Sequence, residues 1–307
     1  MRLRLHAWQL AALLAAFCAL AVAGVYAYRM RGGSKPSDLV GYLPSAHATI
    51  LYIDVAGMRR SGILNILAAS KAAEELEYKQ FVDQTLFDYR QDLDAVAAAF
   101  AENQTFFAVR GRFHWKNLME YAKRQGGSCR EGFCVTSGSQ PNRRISFYPL
   151  RDDTMAMAIS SDDFAAYQVN RKQPALPFLP PVQPVWALVP VAVLKNADQL
   201  PAVMKPYAAA LGNTEQIVFT LGPDGDRLKV ALTVTCRDPQ AASTLLVDLE
   251  GATNSLRKLI ASQHEKAEPG DLTRVLLAGS FHRDDRSVYG QWPLEREFVD
   301  ALLGGSN

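Results

Sequence analysis

Residues 215–236, EQIVFTLGPDGDRLKVALTVTC, hold the pattern that decides the fold. Leu228, Val230, Leu232 and Val234 alternate with Lys229, Ala231, Thr233 and Thr235, and Phe219-Thr220-Leu221 alternates on the other side. A period of two is the mark of a strand with one covered face. Between the runs, Gly222-Pro223-Asp224-Gly225 supplies turn chemistry, so the stretch predicts an antiparallel hairpin.

Working outward, PVWALVPVAVL (184–194) reads as a strand interrupted at Pro190, and LPAVMKPYAAALG (200–212) as a helix kinked at Pro206. After the hairpin, DPQAASTLLVDLEGATNSLRKLIASQ predicts a long amphipathic helix with Asp238 and Pro239 at its start. A polar loop around Pro269-Gly270 follows, then LTRVLLAGSFHRD and SVYGQWP about a charged turn at 282–286, and a closing helix near LEREFVDALL.

The earlier part of the chain has a similar order. ATILYIDV (48–55) alternates as a strand, and helical patterns follow from Ser61. LDAVAAAFA (93–101) reads as a short helix or a helix passing into a strand. TFFAVRGRF is a strand, HWKNLMEYAKRQG a helix ending at Gly126-Gly127, and GFCVTS, RISFYPL and MAMAIS form a meander. Ser160 to Asp163 then cap a short helix reaching about Val169. The expected fold class is α+β: an N-terminal transmembrane helix, then two similar α+β halves with antiparallel sheets and helices packed on one face. The expected boundaries are a basic N-terminus (1–6), a span (7–28), a tether (29–38), a first half (39–172), a Pro-rich linker (173–184) and a second half (185–307).

Of 307 residues, 49% are hydrophobic and 21% charged, which fits a folded body and excludes a disordered chain. Lys+Arg (33) and Asp+Glu (31) nearly cancel, which argues against a broad polybasic nucleic-acid binder. Ala7 to Tyr28, AWQLAALLAAFCALAVAGVYAY, carries no charge. At 1.5 Å per residue it reaches about 33 Å, enough for a bilayer core of roughly 30 Å. Trp8, Tyr26 and Tyr28 suit the two interfaces. Ala21-Val22-Ala23 before Gly24 leaves signal-peptide cleavage as the competing reading. The expected location is the cytoplasmic membrane, crossed once, with the body facing the periplasm or cell exterior.

Cys129 and Cys134 stand as C-R-E-G-F-C, close enough for a disulfide across a turn at Gly132, with free thiols as the alternative. Cys18 lies in the apolar run, and Cys236 reads as a buried strand residue. Arg110-Gly111-Arg112-Phe113-His114-Trp115 is the sharpest polar cluster. Arg110, Arg112 and His114 at a strand-to-helix junction are candidates for an anion or partner contact. The other reading leaves the arginines solvated while Phe113 and Trp115 anchor the helix.

Two segments carry a resemblance. Leu43-Pro44 leading into Leu51-Tyr52-Ile53-Asp54-Val55, together with Val109-Arg110-Gly111-Arg112-Phe113, resembles a group of uncharacterised bacterial envelope proteins over about residues 40–165. The resemblance implies a membrane-tethered α+β body and carries no assigned activity.

No His pair with ligand spacing, nucleophile elbow, phosphate loop or dinucleotide fingerprint is present. The expectation is therefore a non-enzymatic binding or scaffolding protein, with no cofactor or metal and no nucleic acid, attached to the membrane through 7–28 and facing an envelope protein partner. The alternatives are a periplasmic binder of a small or lipid-like ligand, for which an apolar pocket would speak, and an enzyme whose residues converge only in space.

Overall fold

The computed structural model describes residues 36–45, 47–64, 76–138, 142–170, 179–194, 200–225, 227–263 and 270–304. The span expected at 7–28 lies outside them, as do the start of the tether and residues 173–178 of the linker. Among the described residues no helix is long and apolar enough to cross a membrane.

The frame is one antiparallel sheet. Its strands are β1 (Thr49–Ile53), β2 (Leu93–Phe100), β3 (Thr105–Gly111), β4 (Ser128–Arg130), β5 (Phe133–Ser137), β6 (Arg144–Arg151) and β7 (Thr154–Ser160). They continue with β8 (Val185–Val189), β9 (Gln216–Asp224), β10 (Arg227–Thr235), β11 (Ser280–Asp284) and β12 (Ser287–Leu294). The spatial order is β11-β12-β10-β9-β8-β1-β2-β3-β7-β6-β5-β4. Counting outward from the β1–β8 seam, five strands of each half follow the same path, and the first half adds the β4–β5 hairpin at its rim. The two halves therefore share a sheet rather than packing as separate bodies.

The expected hairpin forms, but its tip moves. Asp224 pairs with Arg227, so the strands run past Gly222 and Pro223 and the chain turns after Asp224, with Gly225 at φ +65°. LDAVAAAF is strand throughout, not helix. Alanine favours helices in isolation, but pairing on both sides of β2 overrides that preference. Pro206 produces no kink: it sits in the first turn of a helix, Lys205–Leu211, where a missing N–H costs nothing. The chain also becomes helical at Pro36 (α1, Pro36–Val40) instead of remaining a tether to residue 38, and Leu39 and Val40 are buried.

Register assigns each residue to a face. On the front face, Phe147, Met157, Phe107, Ala98, Leu51, Ala187, Phe219 and Leu232 form one row of partners across the sheet. The remaining helices are α2 (Val55–Arg60), α3 (Leu76–Thr85), α4 (Tyr89–Asp92), α5 (Trp115–Arg124), α6 (Val191–Leu194), α7 (Lys205–Leu211), α8 (Pro239–Gln263), α9 (Leu272–Leu277) and α10 (Arg296–Gly304). Leu211 of α7, Leu245 and Leu249 of α8, Leu276 of α9 and Phe298 of α10 form one core with Ile217, Leu232, Val234 and Trp292 of the front face. In the first half Ala122 of α5 packs with Cys134 and Phe147 on that same face.

On the back face a second row runs Ser146, Ala158, Phe106, Ala99, Ile50, Leu188, Val218, Thr233 and Tyr289. Here the expectation of helices on one face fails for the first half. Leu39 and Leu43, with the 3-10 helix Ala165–Asn170, cover this side. The reason is small side chains: Ala97, Ala99, Ala108, Ala156 and Ala158 are no more than 0% exposed and let those segments approach the backbone. In the second half the same face shows half-buried Thr220, Ala231, Thr233, Tyr289 and Gln291, the ordinary wet side of an antiparallel sheet.

This asymmetry can be tested by urea denaturation. Ala158→Leu, on the covered back face, should cost about 1–3 kcal/mol by overpacking. Ala231→Leu, on the uncovered part of that face, should change stability by less than about 0.5 kcal/mol.

Candidate ligand cavity

The sheet of the second half is not filled flush against its helices. A cavity of about 410 Å³ opens between them on the front face. Its floor is Thr49 of β1, Val189 of β8, Phe219 of β9, Val230 and Leu232 of β10 and Trp292 of β12. Tyr207, Ala208 and Leu211 of α7, Leu249 of α8 and Leu272 and Leu276 of α9 wall it, and Val193 and Leu194 of α6 stand over it. Val193 is 45% exposed and marks the rim. The volume falls within the usual range for small-ligand sites, roughly 300–1,000 Å³.

The lining is aliphatic and aromatic with very few polar atoms. The Tyr207 hydroxyl lies 2.9 Å from Thr253 Oγ1, and Thr253 Oγ1 also donates to the Leu249 carbonyl at 3.1 Å. Burial raises the Tyr207 phenol above its ordinary value, so it stays neutral. Trp292 Nε1 is buried without a hydrogen-bond partner among the described residues. The indole lies so close to Gly279 that a methyl there would fall 2.5 Å from Nε1. Such a lining offers contact to hydrocarbon and little that could activate a bond. Among the described residues no group of three or more His, Cys, Asp or Glu comes together to hold a metal ion.

The residues singled out in the sequence lie elsewhere. Arg112 donates from Nε and Nη2 to Asp92 Oδ1 at 3.0 and 2.8 Å, and from Nη2 to the Gln91 carbonyl at 2.6 Å. Arg110, with 15% of its side chain exposed, lies 3.8 Å from Asp153 Oδ2. Each guanidinium thus faces a carboxylate, which would oppose an anion at that junction. His114 precedes α5 without capping it through its side chain. The aromatic neighbours do the anchoring: Phe113 stacks on Phe87 at 5.3 Å, and Trp115 Nε1 donates to the Asp152 carbonyl at 3.0 Å.

Cys129 and Cys134 sit directly opposite each other on β4 and β5 and are bonded. The turn between them has Glu131 at φ +50° and Gly132 at φ +85°, the two left-handed residues of a tight hairpin. Cys236 is buried, and burial raises its thiol above the ordinary value, which keeps it protonated.

No local motif marks the cavity residues as a site, because they come from β1, β8, β9, β10, β12 and four helices.

Two measurements follow from these contacts. Burial works against the Asp92 carboxylate, but the Asp88 amide and the Arg112 guanidinium outweigh it and hold Asp92 below the ordinary carboxylate value. A depressed carboxylate stabilises the fold at neutral pH and loses that contribution as pH falls through its folded value. Asp92→Asn should therefore flatten the decline of stability below about pH 4, read by urea midpoints. Separately, reduction of the Cys129–Cys134 bridge, which closes a short loop, should lower stability by up to about 2 kcal/mol.

No protein-family model matches the chain, and no curated protein matches it, so the likeness over residues 40–165 stays a resemblance. Among solved structures, three crystal forms of TP0453 are similar. Form I is 14% identical with a TM-score of 0.49, over 89% of this chain and 99% of that one. Form IV is 13% identical at 0.46, over 90% and 98%, and form III 12% identical at 0.45, over 89% and 98%.

Proposed function

We propose that the protein is a non-enzymatic binder of a small apolar or lipid-like molecule, held at a bacterial membrane by residues 7–28 with its body outside the cytoplasm. The observation that carries the binding role is the 410 Å³ cavity with its hydrocarbon lining. Filling it with methylene groups would contribute about 0.8 kcal/mol for each one buried. The membrane attachment rests on the uncharged run Ala7 to Tyr28, and the common strand path of the two halves supports a duplicated α+β unit.

The ligand enters beside α6, where Val193 is exposed, and lies along the floor of Phe219, Val230 and Trp292. Its polar end, where it has one, stays at the rim, because the interior offers almost no hydrogen-bonding partners. A purely scaffolding role gives such an opening no use, and its apolar lining costs free energy while it faces water.

Photocrosslinking in cells tests this reading. The full-length protein would be labelled with a diazirine-bearing fatty acid, and the modified peptides mapped by mass spectrometry. Adducts are expected on segments 205–211 and 272–277, and Ala208→Leu, which fills the space, should remove them while raising the melting temperature. Adducts confined to residues 7–28 would instead leave a tethered scaffold.

A further inference from the structure

At the opposite end of the sheet, on its back face, lies a wider groove of about 600 Å³ with different chemistry. Its base is a set of stacked rings. Phe133 of β5 lies 4.3 Å from Tyr167, with planes 20° apart, and 5.8 Å from Phe164. Tyr148 of β6 supports Tyr167 from 5.3 Å, and the Phe164 and Tyr167 planes are within 8° of each other. Phe164 and Tyr167 are 63% and 52% exposed, so two nearly parallel rings stacked on Phe133 stand open to solvent.

Those rings are held in place. Phe164 N donates to Asp162 Oδ1 at 2.9 Å, and Ala166 N donates to Ser146 Oγ at 3.2 Å, fixing the 3-10 helix on the sheet. The bonded Cys129–Cys134 hairpin positions Arg130 and Phe133 from the other side. Around the rings stand Arg130, Glu131, Arg144 and Asp163, with Arg144 Nε 3.6 Å from Asp163 Oδ1.

We propose that this groove binds a neutral saccharide. The rim carries two cations and two anions, so its charge is balanced and favours neither a phosphate nor an ammonium ligand. An acyl chain would strip water from four charged groups without replacing their hydrogen bonds, at several kcal/mol. A pyranose ring meets both requirements. Its face of C–H bonds, slightly positive, rests on the negative face of an aromatic ring. Its edge of hydroxyl groups accepts from the arginines and donates to the carboxylates in charge-assisted bonds. This site is independent of the apolar cavity: it lies on the other face of the sheet, in the other half of the chain, and shares no residue with it.

Calorimetric titration of the full-length protein in nanodiscs tests the assignment, with the tetrasaccharides of β-1,4-linked N-acetylglucosamine and of β-1,4-linked glucose as probes. At least one should bind with a Kd between about 10 μM and 1 mM. Phe164→Ala and Tyr167→Ala, at exposed positions that leave the fold intact by melting temperature, should each weaken binding by about tenfold or more. Affinity should stay within about twofold between roughly 50 and 500 mM salt, as expected of an uncharged ligand. Absence of heat with both probes, binding indifferent to the two substitutions, or a steep loss with salt would each overturn the proposal. Capture of an acidic or proline-rich peptide by these rings in place of either sugar would overturn it as well.

Discussion

The pairing of β1 with β8 is the contact on which the rest of the structure depends. Each is the first strand of its half, and each would otherwise be an open edge exposing a ladder of N–H and C=O groups. Ile50 faces Leu188, Leu51 faces Ala187, Tyr52 faces Trp186 and Ile53 faces Val185. Tyr52 and Trp186 stack at 5.6 Å, and Trp186 is 0% exposed. Asp54 N then donates to the Pro184 carbonyl at 2.7 Å, closing the seam where β8 begins. With this pairing the two halves become one sheet, and each face of that sheet is continuous from rim to rim.

Continuity does not make the faces alike. On the front, large side chains from the strands meet Leu, Val and Phe from α7 to α10, and the packing leaves the hydrocarbon-lined cavity between Phe219, Leu232 and Leu249. On the back of the first half, alanines bring Leu39, Leu43 and Val169 down onto the strands, and the space closes. Small side chains thus seal one layer, and large ones leave the other open. Beyond the alanine zone the rings of Phe133, Tyr148 and Tyr167 take over, and the surface turns from packed core to an aromatic floor with a charged rim.

The two openings differ in the chemistry that surrounds them. A hydrocarbon lining rewards methylene groups and penalises anything that must keep its water. A charged rim over exposed rings rewards a molecule with one apolar face and one hydroxyl edge.

What the sequence determined by itself was local. The alternation of Leu228 to Val234 fixed a hairpin, although the turn fell two residues later than its Gly-Pro-Asp-Gly string indicated, because Pro223 stays in the ladder opposite Leu228. The long helix after Asp238, the meander of β5 to β7 and the Cys129–Cys134 pair were equally legible, since each is a contact between near neighbours. Residues 93–101 read as a short helix or a helix passing into a strand, because alanine's intrinsic preference is visible in a string and its burial between paired strands is not. Tertiary structure alone decided that β1 finds β8, that α1 and the 3-10 helix cover the back face, and that five strands and four helices surround one cavity. These arise from packing between residues far apart in the chain, where side-chain volume and register act together, and no local pattern carries either.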